Sequence, residues 1–372
     1  MNRQTAKATP DLSDSTLQLV LALLQARFDP RDVHLDTDLR STSLQALQLA
    51  GEHGVAPALA EGLRQLIRCG LPWQDLQPIF EAVEVSNAQK NATLRRAALS
   101  IAQWLDTERI EAVFLKGAAF ILEDETDAAW RTTTDLDILV PAEDVARAAE
   151  ALRANGYRFA MDPSAYRPHL HHHYAPLVND QTKTFVELHT RLMQDEADDL
   201  VCAEEICLRK QTVCCHDQAV SIPCPEHRMI HLIAHAQISN WGYPLRKVWL
   251  KDVLDAVELA RGQELNWTDI NEAFATIGAT AQLDGFLAAA ENMLGLAVPV
   301  ALSRPQSARA WAEASIEAIS IPERAGITTM RILSHYLQLF ARNPARLSII
   351  WQTLRDPARL QLLFDVNRQR TG

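Results

Sequence analysis

The chain has no apolar run approaching the ~20 residues that a helix needs to cross a bilayer. Its longest candidate, Leu19-Val20-Leu21-Ala22-Leu23-Leu24, is short and falls within an amphipathic pattern. Met1 to Asp14 is polar and lacks the apolar segment of a secretory signal. Together these gaps predict a cytoplasmic protein with no membrane partner. Positive charge is also in short supply: 36 Lys and Arg stand against 47 Asp and Glu, a net charge of −11, which argues against broad non-specific binding to nucleic acid. Internal repeats and low-complexity tracts are lacking. So is any clean pair of C-x-x-C knuckles. Cys202, Cys207, Cys214, Cys215 and Cys224 share one stretch with His216 and His227, but adjacent Cys214 and Cys215 on a strand would point to opposite faces. Structural zinc is set aside for reduced, buried thiols.

What is present is an ordinary globular composition, 48% hydrophobic and 22% charged, in a chain of 372 residues. That length exceeds what one core usually serves, so two or three units are expected. Three regions follow from the patterning: a helical region over 1–94, an α/β region with a small mixed sheet over 95–224, and a helical region over 225–372. The fold class is therefore α+β. Residues 1–14 read as disordered. Leu17, Leu19, Val20, Leu23 and Leu24 then open a helical period, and a long helix is expected from Asn87 to Thr107. The middle region reads as strands at Glu111–Lys116, Leu136–Val140, Tyr157–Met161, Tyr174–Val178, Thr184–Thr190 and Gln211–Cys215, with a helix over Ala142–Ala154. After Pro225 helices return, including Ile327–Phe340 and Leu347–Phe364.

The most informative stretch is Thr134-Asp135-Leu136-Asp137-Ile138-Leu139-Val140. On a strand, Asp135 and Asp137 share a face. Two like charges on one face of an apolar strand are costly unless a cation lies between them. Oxygen ligands and phosphate chemistry point to magnesium. Phe185-Val186-Glu187-Leu188-His189 alternates in the same way, with Glu187 and His189 opposite Val186 and Leu188. If the two strands are neighbours, Glu187 supplies a third carboxylate, the set needed for metal-assisted phosphoryl or nucleotidyl transfer. The turn Leu115-Lys116-Gly117-Ala118 could cradle phosphate on helix amides, with Lys116 adding charge. Arg131, just outside the aspartate strand, suits a phosphate chain but reads equally as a loop arginine.

These motifs, with Gly156-Tyr157 between them, resemble the uncharacterised bacterial nucleotidyltransferases of the polymerase-beta-like superfamily, over roughly residues 95 to 260. The resemblance implies a magnesium-dependent enzyme that moves a nucleoside monophosphate from an NTP, with ATP the expected donor, and releases pyrophosphate. It implies Asp135 and Asp137 as paired metal ligands, Glu187 as the third acid and Gly117 as the turn facing the triphosphate. Two departures from the superfamily are Ala118, where serine is usual, and the 17 residues between Gly117 and Asp135, a longer gap than usual. His231, His235, Trp241, Arg246 and Asp252 also resemble positions of the family's helical region. His227, His231 and His235 stripe one helix face. The first two read as interface histidines, whereas His235 and Arg246 read as lining the nucleotide cleft.

Two polar tracts read as solvated: the histidine-rich His169–Tyr174 and the stretch 342–372, with six arginines against two aspartates. The acidic balance favours a small molecule or protein acceptor over a long nucleic acid. Two rival readings are a catalytically inactive nucleotide-binding or interaction module and a different metal-dependent phosphotransferase.

Overall fold

In the computed structural model of the chain, strand β1 (Val113–Phe114) runs into helix α5 (Lys116–Glu123) with a single residue between them. Among the described residues four α-helices precede it: α1 (Leu12–Phe28), α2 (Ser43–Glu52), α3 (Leu59–Arg68) and α4 (Gln77–Thr107). After α5 come β2 (Leu136–Leu139), α6 (Val145–Ala154), β3 (Arg158–Phe159), β4 (Leu177–Asn179), β5 (Thr184–His189), α7 (Ala203–Arg209), β6 (Gln211–Cys215) and β7 (Gln218–Ile222). Then follow α8 (Pro225–Ala234), a π-turn (His235–Ser239), α9 (Gly242–Leu245), α10 (Leu250–Gly262), α11 (Trp267–Thr276), α12 (Thr280–Leu294) and α13 (Gln306–Ile319). The structure describes residues 12–33, 35–123, 128–163, 173–193, 195–299 and 304–319. Residues 1–14 are expected to be disordered, but residues 12–14 open α1. Residues 1–11, His169–His172, the expected helices Ile327–Phe340 and Leu347–Phe364 and the arginine-rich 342–372 lie outside the described residues.

Among the described residues seven strands form one mixed sheet in the order β3-β4-β5-β2-β1-β7-β6. β2 pairs in parallel with β5, and β1 in parallel with β7, while the remaining neighbours are antiparallel. The expected mixed sheet is thus present, with shorter strands than the apolar runs suggested and with β7 added. The expected strand at 111–116 keeps only Val113 and Phe114, because the chain turns at Leu115 and enters α5 at Lys116. The long helix begins at Gln77, ten residues earlier than expected.

Alternation along the central strands sorts their side chains onto two faces. Leu136, Ile138, Val186 and Leu188 join Phe114 in a core closed by α4, α5 and α6, through Leu94, Ala98, Ile121, Ala148 and Leu152. Val113, Leu115 and Leu139 face the other way, into a core shared with α1–α3 and α8–α12. Asp137, Glu187 and His189 alternate onto this second face. The sheet therefore buries one apolar side fully and presents its polar residues toward helices drawn from both ends of the described chain. Cys214 is exposed and Cys215 buried, as their opposite faces on β6 require. Cys69 and Cys202 are also exposed, so burial of the thiols holds only for Cys215 and Cys224, with Cys207 intermediate.

Candidate active site

The parallel register of β2 and β5 sets Asp137 directly opposite Glu187 and Leu139 opposite His189. His189 Nε2 lies 2.7 Å from Asp137 Oδ1 and 3.7 Å from Glu187 Oε2. Lys116 Nζ donates to the same Asp137 Oδ1 at 2.8 Å. Both contacts fall on Oδ1, and Oδ2 takes neither. Asp135, one residue before β2, is half-buried and accepts from its neighbour, Thr134 Oγ1, at 3.0 Å. The expectation that the aspartate strand and the Glu187 strand are neighbours holds.

Lys116 reaches Asp137 through an unusual backbone. Its φ is +44°, the left-handed region that costs a residue with a side chain about 1–2 kcal/mol. β1 must end and α5 must begin within two residues, and this φ makes the turn that aims the lysine across to β2. Leu115 N–H donates to the Asp137 carbonyl at 2.9 Å, so the residue before Lys116 is tied to the backbone of the aspartate that the lysine side chain meets. Gly117, the next residue, has no left-handed φ. Its need for glycine is space: a Cβ there would lie 2.4 Å from Arg131 Nη1 and 2.8 Å from Thr133 Cγ2. The glycine anticipated as a close approach for phosphate is filled by this chain's own arginine.

The charges are strongly interdependent. Burial works against ionisation of Asp137, but Lys116 and His189 outweigh it and hold the carboxyl well below the usual carboxylate range. The reciprocal effect appears on the partners. Burial disfavours their charge, yet Asp137 raises Lys116, and Asp137 with Glu187 raises His189. Glu187 is lowered despite burial by His189 and by His173, whose ring centroid lies 5.7 Å from that of His189. Asp135 is raised, by burial and then by repulsion from Asp137. The cation demanded by two carboxylates on one strand face is thus supplied in part by the protein itself.

His235, at the start of the π-turn, lies within reach of this field. Burial and then Lys116 and His231 push its pKa well below the ordinary histidine value. It forms an edge-to-face pair with His231 at 6.1 Å. His227 and His231 are buried, as expected of interface residues. Arg246 is exposed, with φ +51°, at the end of the four-residue α9. Asp252 accepts from Lys251 Nζ at 3.1 Å on α10.

Arg131 is placed differently from a phosphate ligand. Its guanidinium makes two parallel bonds to Asp255, Nε to Oδ1 at 2.9 Å and Nη2 to Oδ2 at 2.8 Å. Nη1 donates to Thr133 Oγ1 at 3.1 Å. The side chains of the pair are 5% and 1% exposed, so the fork points into protein rather than into a cleft. Sequence reasoning gave His189 a shared face with Glu187 but no role, and it did not single out Lys251 or Asp255. The two-residue spacing from Glu187 was the available signal for His189. No sequence signal pairs Arg131 with a residue 124 positions away.

Asp137, Glu187 and His189 each offer a ligand atom within 4.8 Å of the others, and among the described residues they form the one such group of His, Cys, Asp or Glu. The cysteine stretch assembles no such group there. Two carboxylates and an imidazole are a donor set that a divalent cation accepts. No helix among the described residues is long and apolar enough to cross a membrane. No curated protein matches the chain. Residues 43–295 match the family described as uncharacterised nucleotidyltransferase, a span that contains the whole sheet and every residue of the cluster. The chain belongs to that nucleotidyltransferase family.

Proposed function

We propose that the chain transfers a nucleoside monophosphate from an NTP, with ATP as donor, to a small-molecule or protein acceptor, releasing pyrophosphate. On this reading the sheet and its flanking helices form a polymerase-beta-like nucleotidyltransferase domain at 95–224, preceded and followed by helical regions. The observation that carries the reading is the pairing of Asp137 with Glu187 on adjacent parallel strands, with Asp135 beside them and Lys116 at the strand-to-helix turn.

Asp137 and Glu187, with Asp135 alongside, would hold magnesium. A cation held by these residues would supply charge neutralisation to the phosphates and would lower the pKa of the attacking hydroxyl. The chain's own residues do the rest. Asp137 keeps Oδ2 clear of both hydrogen bonds while Lys116 and His189 hold Oδ1, which fixes the carboxylate's orientation. Lys116, at the strand-to-helix turn, would set its ammonium against charge developing on the leaving pyrophosphate. Glu187, kept ionised by His189 and His173, is a ligand or a base for the acceptor hydroxyl. His235, neutral at physiological pH, would meet the nucleotide as a hydrogen-bonding group rather than as a cation. Arg246 would reach it from the exposed loop.

The test is incubation with each of four NTPs labelled at the α-phosphate, magnesium and fractionated acceptors, with pyrophosphate measured in parallel. Labelled acceptor plus stoichiometric pyrophosphate supports the reading. Magnesium-dependent NTP binding without turnover across all fractions overturns it in favour of a binding module. Release of orthophosphate in place of pyrophosphate overturns it in favour of another phosphotransferase.

A further inference from the structure

Arg131 is the meeting point of four elements. Two asparagines one turn apart on α4 hold its backbone: Asn87 Nδ2 and Asn91 Nδ2 donate to the Arg131 carbonyl at 2.9 and 2.8 Å. The same two amides reach the Ala129 and Ala128 carbonyls at 2.8 and 2.9 Å, so the whole turn before β2 is tied to α4. The guanidinium passes over the ring of Phe120 on α5, 4.9 Å from its centroid, and presses on Gly117 so closely that no Cβ would fit. Its fork then closes on Asp255 of α10. Asp255 lies 3.5 Å from Lys251 Nζ on the same helix, and Lys251 is paired with Asp252.

The two ends of this connection adjoin residues of the candidate site. On one side, Gly117 adjoins Lys116, which is bonded to Asp137, and Thr133 is two residues from Asp135. On the other, α10 carries Lys251, whose charge is felt at His235. An arginine whose donors are spent on Asp255, Thr133 and the Thr132 carbonyl has little left for a substrate. A bidentate pair fixes angle as well as distance, which a single lysine contact does not.

We infer that Arg131 is a positioning residue, whose buried bond to Asp255 fixes the turn bearing Lys116, and β2 with Asp137 on it and Asp135 just before it, against α10. The assignment rests on the site described under Proposed function, but the brace has its own readout.

Four full-length proteins test it: wild type, Asp255→Asn, Arg131→Lys and the pair Arg131→Lys with Asp255→Glu, which shortens one arm and lengthens the other. Amide hydrogen exchange is followed at Gly117–Phe120 and Leu136–Leu139, beside the kcat and NTP KM of transfer. In both single variants exchange at these amides is expected to rise about tenfold or more, with no matching change in the α12 amides of Leu287–Ala290. kcat is expected to fall about tenfold with NTP KM within about twofold, since Arg131 does not touch the nucleotide. The double variant is expected to recover most of both losses. Unchanged exchange in the singles, a rise spread equally to α12, or a double variant no better than the singles overturns the brace. A rise in NTP KM at unchanged kcat overturns it too, by making Arg131 a direct phosphate contact. Should the wild type transfer nothing, the exchange data still decide the brace, and only the nucleotidyl-transfer reading fails.

Discussion

Replacing Asp137 by Asn changes one charge and almost no volume, and it separates two accounts of the carboxylate cluster. In the first, Asp135, Asp137 and Glu187 repel one another until a metal binds, and loss of one charge stabilises the metal-free protein. In the second, Lys116 and His189 already balance Asp137. The geometry favours the second. At 2.8 Å and an effective dielectric near 20, the Lys116–Asp137 attraction alone is about 6 kcal/mol before desolvation is counted. Removing one partner of a buried pair costs about 3–5 kcal/mol, because the other is left charged and unpaired. Lys116 keeps 24% of its side chain exposed and can partly resolvate, and repulsion from Asp135 and Glu187 is relieved. A net loss of about 2–3 kcal/mol remains. Urea unfolding near neutral pH in chelator should show it as a lower midpoint at unchanged slope. Transfer should fall to background in the same variant. An Asn variant as stable as wild type, or more so, refutes the argument and makes mutual carboxylate repulsion the dominant effect.

Other substitutions probe separate parts of the site. Gly117→Ala should cost about 1–3 kcal/mol in urea midpoint, because the added Cβ meets Arg131 Nη1 at 2.4 Å and a packed core resists such insertion; a neutral result would mean that Arg131 can withdraw. His189→Gln tests a pH dependence. The native pKa of His189 is raised, so its charged form contributes stability that is complete below the unfolded value of about 6.5 and is lost as pH rises through the native value. The gap in unfolding free energy between wild type and His189→Gln should therefore be larger near pH 6 than near pH 9, and a gap that widens with pH contradicts the pairing with Asp137. Arg246→Ala should leave the urea midpoint within about 0.5 kcal/mol, as for an exposed side chain, and should raise NTP KM if the loop reaches the nucleotide. An unchanged KM removes Arg246 from the site.

Much of the site was legible because strand periodicity is a local property. Alternation alone put Glu187 with His189 on one face of β5, and the apolar residues around Asp137 marked its segment as a strand, although β2 begins only after Asp135. The cysteine pair on β6 followed the same rule. Lys116 was legible as a charged turn residue, although its left-handed φ was not, since the usual sign of that conformation is glycine and the glycine here is its neighbour. Ile79, Val83 and Val85, with a helical period of their own, belong with the helix expected from Asn87 to the single helix α4. Asn87 and Asn91 of that helix hold the turn before β2, a role that helical periodicity does not show.

The order of residues determined which side chains could share a face, and with it the carboxylate pattern and the family to which the chain belongs. Tertiary structure decided what each charge does. Asp255 lies 124 residues from Arg131, and only packing of α10 against the turn before β2 converts that arginine from a candidate phosphate ligand into a buried strut. Parallel pairing of β2 with β5 likewise set Asp137 against Glu187, with a lysine and a histidine already bonded to Asp137. The physical reason is range: periodicity is set by bond geometry within a few residues, whereas the partner of a buried charge is whatever the folded core leaves within about 3 Å of it.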